Sequence, residues 1–415
     1  MTQRKQSILN LSAVDYAGAG KFAVDFNDLL VNSEYNSYLV VKDVKTENPA
    51  VLCYPDHKLT APFAKLFRKI AKVKWSRVSF DYDYYFYNLY EQYSVVSAKK
   101  ILELVPVKPD VIFIHWVTDF LNAKIIHELY KLTGAKIYWL MIDNAPITGG
   151  CHYPWTCRRY QTDCGNCPAI TSPEVKWLAQ KNLALKLTYL PESMGLLVFS
   201  ESDHKRARQS AVFRHKSIYK LLGLVDENKF VLGDQEAAKS HFGLATNHKV
   251  IFFGAASLKE RRKGMHLLIE AIKILEAENV TYLIAGNAAL PFENRSIKTI
   301  GYLDEGQLIK AYQAADIFVC PSIEDSGPMM INQSIMCGTP VVAFNTGVAQ
   351  DLVHTGNTGY RADLGDYKDL AKGIAQLLQL DKTARRVMGE NCRNLAVSLY
   401  GKQPFHAHIA KLVNA

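Results

Sequence analysis

The stretch DIFVCPSIEDSGPMMINQSIMCGTPVVAF, residues 316–344, decides the fold. It reads as a short apolar strand, a turn-rich loop and a helix, followed by a second apolar strand. Alternation of this kind is the signature of a parallel sheet covered by helices on both faces. The loop carries the chemistry. Glu324 and Asp325 close the first strand, Gly327 and Pro328 make the turn, and the helix that follows offers unpaired N–H groups to an anion. Carboxylates placed here can accept hydrogen bonds from sugar or ribose hydroxyls. Gln333 lies about two helical turns beyond Asp325 and so approaches the same side.

The same alternation continues on either side. Upstream in this half lie VIFFGAAS at 250–257, TYLIAGN at 281–287 and IKTIGYL at 297–303, with helical segments beginning near Gly264, Asp304, Pro328 and Asp366. The first half has strand candidates at Ser7–Ser12, Tyr38–Lys42, Asp110–His115, Lys136–Ile142 and Gly195–Phe199. Between the halves, Leu224–Lys249 is polar and suits a linker with one short helix. The expected architecture is therefore α/β, two doubly wound Rossmann-like domains facing across a cleft, spanning 1–223 and 224–390. The helical 391–415 are expected to pack back on the first domain. A chain of 415 residues is long enough for two cores of this size.

Ligands of doubly wound sheets bind beyond the carboxyl ends of the strands. After the first strand comes DYAGAGKFAVDF, where Gly18 and Gly20 permit close approach of the backbone and Lys21 adds a cation. The alternative is a tight strand-to-helix turn. After the first strand of the second half, Gly254 leads to Arg261, Arg262, Lys263 and Gly264 just ahead of an amphipathic helix. Cations and a helix N-terminus together suit a diphosphate, and a solvated charge run is the alternative.

Cys151, Cys157, Cys164 and Cys167 cluster within a short stretch of a chain with eight cysteines. Four thiolates at this spacing would suit a structural zinc that braces a loop. A disulfide pair and free thiols are the other readings. Asp81-Tyr82-Asp83 is a DxD, a short pattern that can hold a divalent cation, but it sits in an aromatic run far from the phosphate-binding loops. Residues 58–77 hold seven basic side chains and no acidic one. Lys65, Arg68, Lys69 and Lys72 fall on one helical face against Leu66, Phe67, Ile70 and Val73, the layout of a helix lying on an anionic membrane. A surface helix packed on its own domain, or an acceptor pocket built with Phe63, would give the same pattern.

The net charge of +9 favours anionic partners. Nothing matches a nucleic-acid-binding motif, so none is expected. No apolar run is long enough to span a bilayer, and MTQRKQSILNLS lacks the pattern of a secretory signal, so a cytoplasmic location is expected, with peripheral contact through 58–77.

Taken together, these motifs resemble the retaining family-4 glycosyltransferases of the GT-B fold, in particular the bacterial branch that builds capsules, O-antigens and exopolysaccharides. The resemblance rests on Pro321, Ser322, Glu324, Asp325, Gln333, Gly338, Pro340, Val341 and Val342. It extends to the GAGK loop, to Lys263-Gly264 and to the 148–168 insertion TGGCHYPWTCRRYQTDCGNCP. It implies metal-independent transfer of a sugar from a UDP- or GDP-sugar to a glycan or lipid-linked acceptor. Arg262 and Lys263 would neutralise the leaving diphosphate, Glu324 and Asp325 would orient the donor sugar, and Gln333 would hold the ribose. Gly18 to Lys21 would meet the diphosphate from the other domain.

Three positions depart from the pattern. Gln333 stands where the family has a second Glu, and Ala255 stands where it has an Arg, with Arg262 as the replacement. Ile142-Asp143 replaces a His-Asp pair, leaving Asp143, His115 or His152 to take over the missing imidazole's place. A sugar-nucleotide epimerase or phosphorylase, and a non-catalytic nucleotide-binding relative, are the rival readings on the same scaffold.

Overall fold

The computed structural model describes residues 4–55, 78–87, 91–92, 94, 96–255, 257–275, 278–286, 296–327 and 329–414. The basic segment 58–77 and Pro328 lie outside them. The chain divides into two compact units, Met1–Val198 with Asp203–Lys220, and Phe199–Ser202 with Leu221–Ala415.

The first unit is built on β1 (Ser7–Val14), β2 (Asn36–Asp43), β3 (Val51–Cys53), β4 (Val111–Ile114), β5 (Lys136–Leu140), β6 (Gly195–Val198) and β7 (Ile218–Lys220). They form one parallel sheet in the order β3-β2-β1-β4-β5-β6-β7. The central strands are buried on both faces, as expected of a parallel sheet. Every residue of β4, VIFI, is buried, as is all of GLLV in β6. β3 and β7 are three-residue edges whose apolar signal is too short to read beforehand.

The second unit holds β8 (Lys249–Gly254), β9 (Val280–Ala285), β10 (Ile297–Gly301), β11 (Ile317–Cys320), β12 (Val341–Phe344) and β13 (Gly359–Ala362). Its sheet is also parallel, in the order β10-β9-β8-β11-β12-β13. This is the 3-2-1-4-5-6 order of the Rossmann fold, in which the connections reverse direction between the first and fourth strands. Three of its helices start where acidic caps stand ahead of them. Asp304 and Gln307 form a reciprocal capping box on Glu305–Ala314, and Asp366 and Asp381 cap the helices Tyr367–Leu378 and Lys382–Tyr400. The expected linker helix is Gln235–His241.

Toward the end of the chain, Lys382–Tyr400 is built into the second unit's own core. Cys392, Ala396 and Tyr400 pack with Phe252, Tyr312 and Ile335, and the Tyr400 hydroxyl donates to the Asn332 carbonyl at 2.9 Å.

Candidate functional site

In the second unit the reversal point lies between β8 and β11, and both loops that follow these strands carry the expected residues. After β8 the chain makes a single 3-10 turn, Arg261–Lys263, and leaves it through Gly264 with φ +68°. A side chain is excluded there twice over. The left-handed conformation disfavours one, and a Cβ would sit 1.8 Å from the Pro321 carbonyl oxygen. The close approach lets the Ile323 N–H donate to the Arg262 carbonyl at 2.8 Å, so the post-β8 turn and the post-β11 loop are joined by their backbones.

That junction brings Arg262, Lys263 and Asp325 together. Asp325 Oδ2 lies 2.5 Å from Lys263 Nζ and 3.1 Å from Arg262 Nη1, and Glu260 Oε2 lies 2.6 Å from Arg262 Nη2. Burial alone would raise the Asp325 carboxyl, but Lys263 and Arg262 outweigh it and hold it below the usual carboxylate range. Glu324 is buried beside it. The Gly327 N–H donates to Asp325, and Gly254 ends β8 against Met330. Gln333, on the helix Met329–Met336, is committed through its carbonyl oxygen, which accepts from the buried Tyr312 hydroxyl at 3.2 Å. Two cations thus share one carboxylate. A diphosphate entering here would compete with Asp325 for both.

In the first unit the GAGK segment forms the first turn of a helix. The helix Ala17–Val31 begins at once after Tyr16, so Gly18 and Gly20 lie in its first turn. Gly20 is a packing glycine, since a Cβ would meet Asp15 and Val14 backbone atoms at 2.7–3.0 Å. Gly18 faces open space and Lys21 is exposed. Asp15 ties the β1 exit to the residues after β2, accepting from the Lys45 and Thr46 N–H groups at 2.9 Å.

Asp143 follows β5 and is paired with the insertion. His152 Nδ1 lies 2.7 Å from its Oδ2, and the Ala145 N–H donates to its Oδ1 at 2.8 Å. Burial would raise this carboxyl too, yet His152, Ala145 and the Lys186 ammonium together hold it low. Lys186 itself is fully buried and donates to the carbonyls of Ala145 and Thr148 at 2.6 and 2.9 Å, so it fixes the turn between Asp143 and His152. This pairing needs His152 to fold back over nine residues, and nothing in the local spacing announces it.

Cys151, Cys157, Cys164 and Cys167 form no disulfide, and among the described residues no three His, Cys, Asp or Glu side chains are grouped as a metal site. Cys151, Cys164 and Cys167 pack in the first unit's apolar core. Burial pushes the Cys164 thiol up to about 12 and Cys151 well above its ordinary value, and the neighbouring cysteines of the cluster add to the rise. The DxD has a structural use: Asp81 accepts from the Asp83 N–H at 3.0 Å and caps the turn Tyr82–Tyr84.

The second unit carries the match to a family model. Residues 234–395 match the family model Glycosyl transferases group 1. The matched residues include Gly254, Arg262, Lys263, Glu324, Asp325, Gly327 and Gln333. Among curated relatives, the D-inositol 3-phosphate glycosyltransferase of Mycolicibacterium smegmatis is 25% identical over 281 residues, covering 63% of this chain and 61% of that protein. The capsular polysaccharide biosynthesis glycosyltransferase CapM of Staphylococcus aureus is 28% identical over 200 residues, covering 45% of this chain and 51% of CapM. Both alignments thus span less than two thirds of the relative.

Solved structures agree over the full length in fold. Sucrose-phosphate synthase of Thermosynechococcus elongatus superposes with a TM-score of 0.66 at 15% identity, covering 99% of this chain and 98% of that one. Anabaena HepE in complex with UDP-glucose superposes with a TM-score of 0.62 at 15% identity, covering 98% and 99%. Two Rossmann-like units of this kind make the fold GT-B.

Proposed function

We propose that the protein is a glycosyltransferase that moves a sugar from a nucleotide-diphosphate sugar, a UDP-sugar first among them, to a hydroxyl of a glycan or lipid-linked acceptor. The observation that carries this reading is the pair Arg262 and Lys263 converging on Asp325 at the reversal point of the second sheet. Two cations beside one carboxylate form a site that accepts a diphosphate once the carboxylate is displaced toward the donor's hydroxyls. As the bond from the anomeric carbon to the diphosphate oxygen breaks, charge develops on the leaving group. Arg262 and Lys263 stabilise that charge, and the acceptor oxygen bonds to the same carbon while its proton passes to the departing diphosphate. Glu324 and Asp325 orient the donor sugar, and the amide of Gln333 serves the ribose. No protein nucleophile is needed, and transfer proceeds with retention.

The group 1 match and the names of the relatives support sugar transfer, and HepE, solved with UDP-glucose, supports a UDP-sugar donor. The likeness to CapM supports a place in surface polysaccharide synthesis. That setting is cytoplasmic, with 58–77 as the membrane-facing segment.

The test is incubation with several nucleotide sugars, with and without a lipid-linked acceptor. Acceptor-dependent release of nucleotide and an α-configured product from an α-linked donor are expected. Isomerisation without acceptor would mean an epimerase, and binding without turnover would mean a non-catalytic relative; either result ends the proposal.

A further inference from the structure

Gln333 stands one turn after Met330 on the helix Met329–Met336 and is half-buried. Met330 lies against the end of β8, since a Cβ on Gly254 would meet its methyl carbon at 2.7 Å. Side chains three residues apart share a helix face, so Gln333 is turned toward the same strand exit from which the chain runs into the Arg261–Lys263 turn.

Tyr312 decides which way round its amide lies. The tyrosine is fully buried, and its ring meets Phe252 of β8 and Phe318 of β11 edge-on, with centroids 5.3 and 5.5 Å away. Burial pushes the phenol well above its ordinary value, so the hydroxyl keeps its proton. That proton goes to Gln333 Oε1, 3.2 Å from the hydroxyl oxygen. With the amide turned over, Nε2 would donate to the hydroxyl and the O–H would be left buried without an acceptor, which costs more than a hydrogen bond contributes. Oε1 is therefore committed to Tyr312. Nε2, at the other corner of the amide, is bonded to none of the described residues.

An amide normally offers both senses of hydrogen bond, and here only the donating one is left. What Gln333 can hold beside the clamp is an oxygen lone pair. A carboxylate at this position would instead take protons from hydroxyls and would strengthen each such bond by its charge. The difference bears on the pentose of the donor, whose hydroxyls can serve either kind of partner.

We infer that Gln333 makes the nucleotide site permissive toward the pentose, holding one hydroxyl oxygen through a single neutral N–H···O bond and so admitting 2′-deoxyribonucleoside diphosphate sugars beside UDP-sugars. Tyr312, which never touches the nucleotide, is the positioning residue that sets this polarity. The inference depends on the transferase reading above and adds to it the breadth of the donor class.

Calorimetry compares UDP with 2′-deoxy-UDP and 3′-deoxy-UDP on the parent, on Gln333→Glu, which keeps an acceptor for Tyr312, and on Gln333→Leu. On the parent, the analogue lacking the contacted hydroxyl should bind about threefold to tenfold more weakly than UDP, the range of one neutral hydrogen bond. On Gln333→Glu the same ratio should widen to about tenfold to a hundredfold, the range of a charged one, and on Gln333→Leu it should close to about one. A parent ratio near a hundredfold, or one that Gln333→Glu leaves unchanged, would overturn the inference. So would equal binding of all three nucleotides by the parent, which would take Gln333 away from the pentose. Should Gln333→Leu fail to fold, the comparison of parent with Gln333→Glu decides alone. Absence of UDP binding by the parent would defeat the transferase reading itself, whereas tight UDP binding with a wide ribose preference would defeat only the permissive pentose site.

Discussion

Asp325 is the residue on which the clamp turns. It was placed at the site by its position after an apolar strand, and so were Arg262 and Lys263. Their mutual neutralisation was not legible, because it depends on β8 and β11 being neighbours across more than sixty residues of chain. Lys263→Ala removes one of the two charges that a diphosphate would meet. UDP affinity measured by calorimetry should fall about tenfold to a hundredfold, the range of a lost charged hydrogen bond, while the circular dichroism stays native. Unchanged affinity would count against the clamp.

Asp325 also makes acid stability predictable. Its folded-state value lies below its unfolded one, so its contribution is present above about pH 4 and is lost as the pH falls through the lower folded value. Asp325→Asn should thus be less stable than the parent at pH 7, and the two should converge in urea melts toward pH 3. His115 acts in the opposite sense. Its value drops from 6.5 to about 3 on folding, so the unfolded chain binds the extra proton and acid below pH 6.5 favours unfolding, by up to about 1.4 kcal/mol per pH unit. In His115→Gln that decline between pH 6 and 4 should be shallower by this amount. An equal slope in both proteins would mean that the imidazole is not buried neutral.

At the scale of elements, apolar runs revealed the strands that have helices on both sides, and acidic caps marked the helix starts at Asp304 and Asp366. The edges β3, β7 and β13 were missed because three or four residues carry too little pattern, and GYRA in β13 is neither continuous nor alternating. The GAGK segment is ambiguous for a related reason. Two glycines after a strand suit either an open loop or a helix pressed against its strand, and only the distance from Gly20 to Asp15 decides between them. The turn through Gly264 is the element that aligns the clamp. Gly264→Ala must give up either the left-handed turn or the contact with Pro321. A loss of more than about 2 kcal/mol in the urea stability of the second unit is expected, with loss of UDP binding. A variant that keeps both would show that the two loops are not held by that approach.

At the scale of the whole molecule, the division into halves and the polar linker with its short helix could be read from composition. What composition hid was how Lys382–Tyr400 is anchored. Lys382–Tyr400 is held in the second unit partly by Arg385, which pairs with the buried Asp316, while Lys239 lies 3.6 Å from the same carboxylate. Removing residues 382–415 should therefore unfold the second unit rather than merely loosen a tail, as hydrogen exchange in β11 and β12 would reveal. Protection retained there would contradict the assignment.

The seam between the two units does not fall at one place in the chain. Phe199–Ser202 leaves the first unit for the second, where Ser200 donates to the Ser326 carbonyl and the Glu201 N–H to Asp351, and the chain then returns for Asp203–Lys220. A chimera that exchanged the C-terminal half at residue 220 would keep four residues of the original host under the post-β11 loop of the newcomer. Grafting a different second unit onto this first unit therefore calls for two junctions, with 199–202 travelling alongside the part it serves.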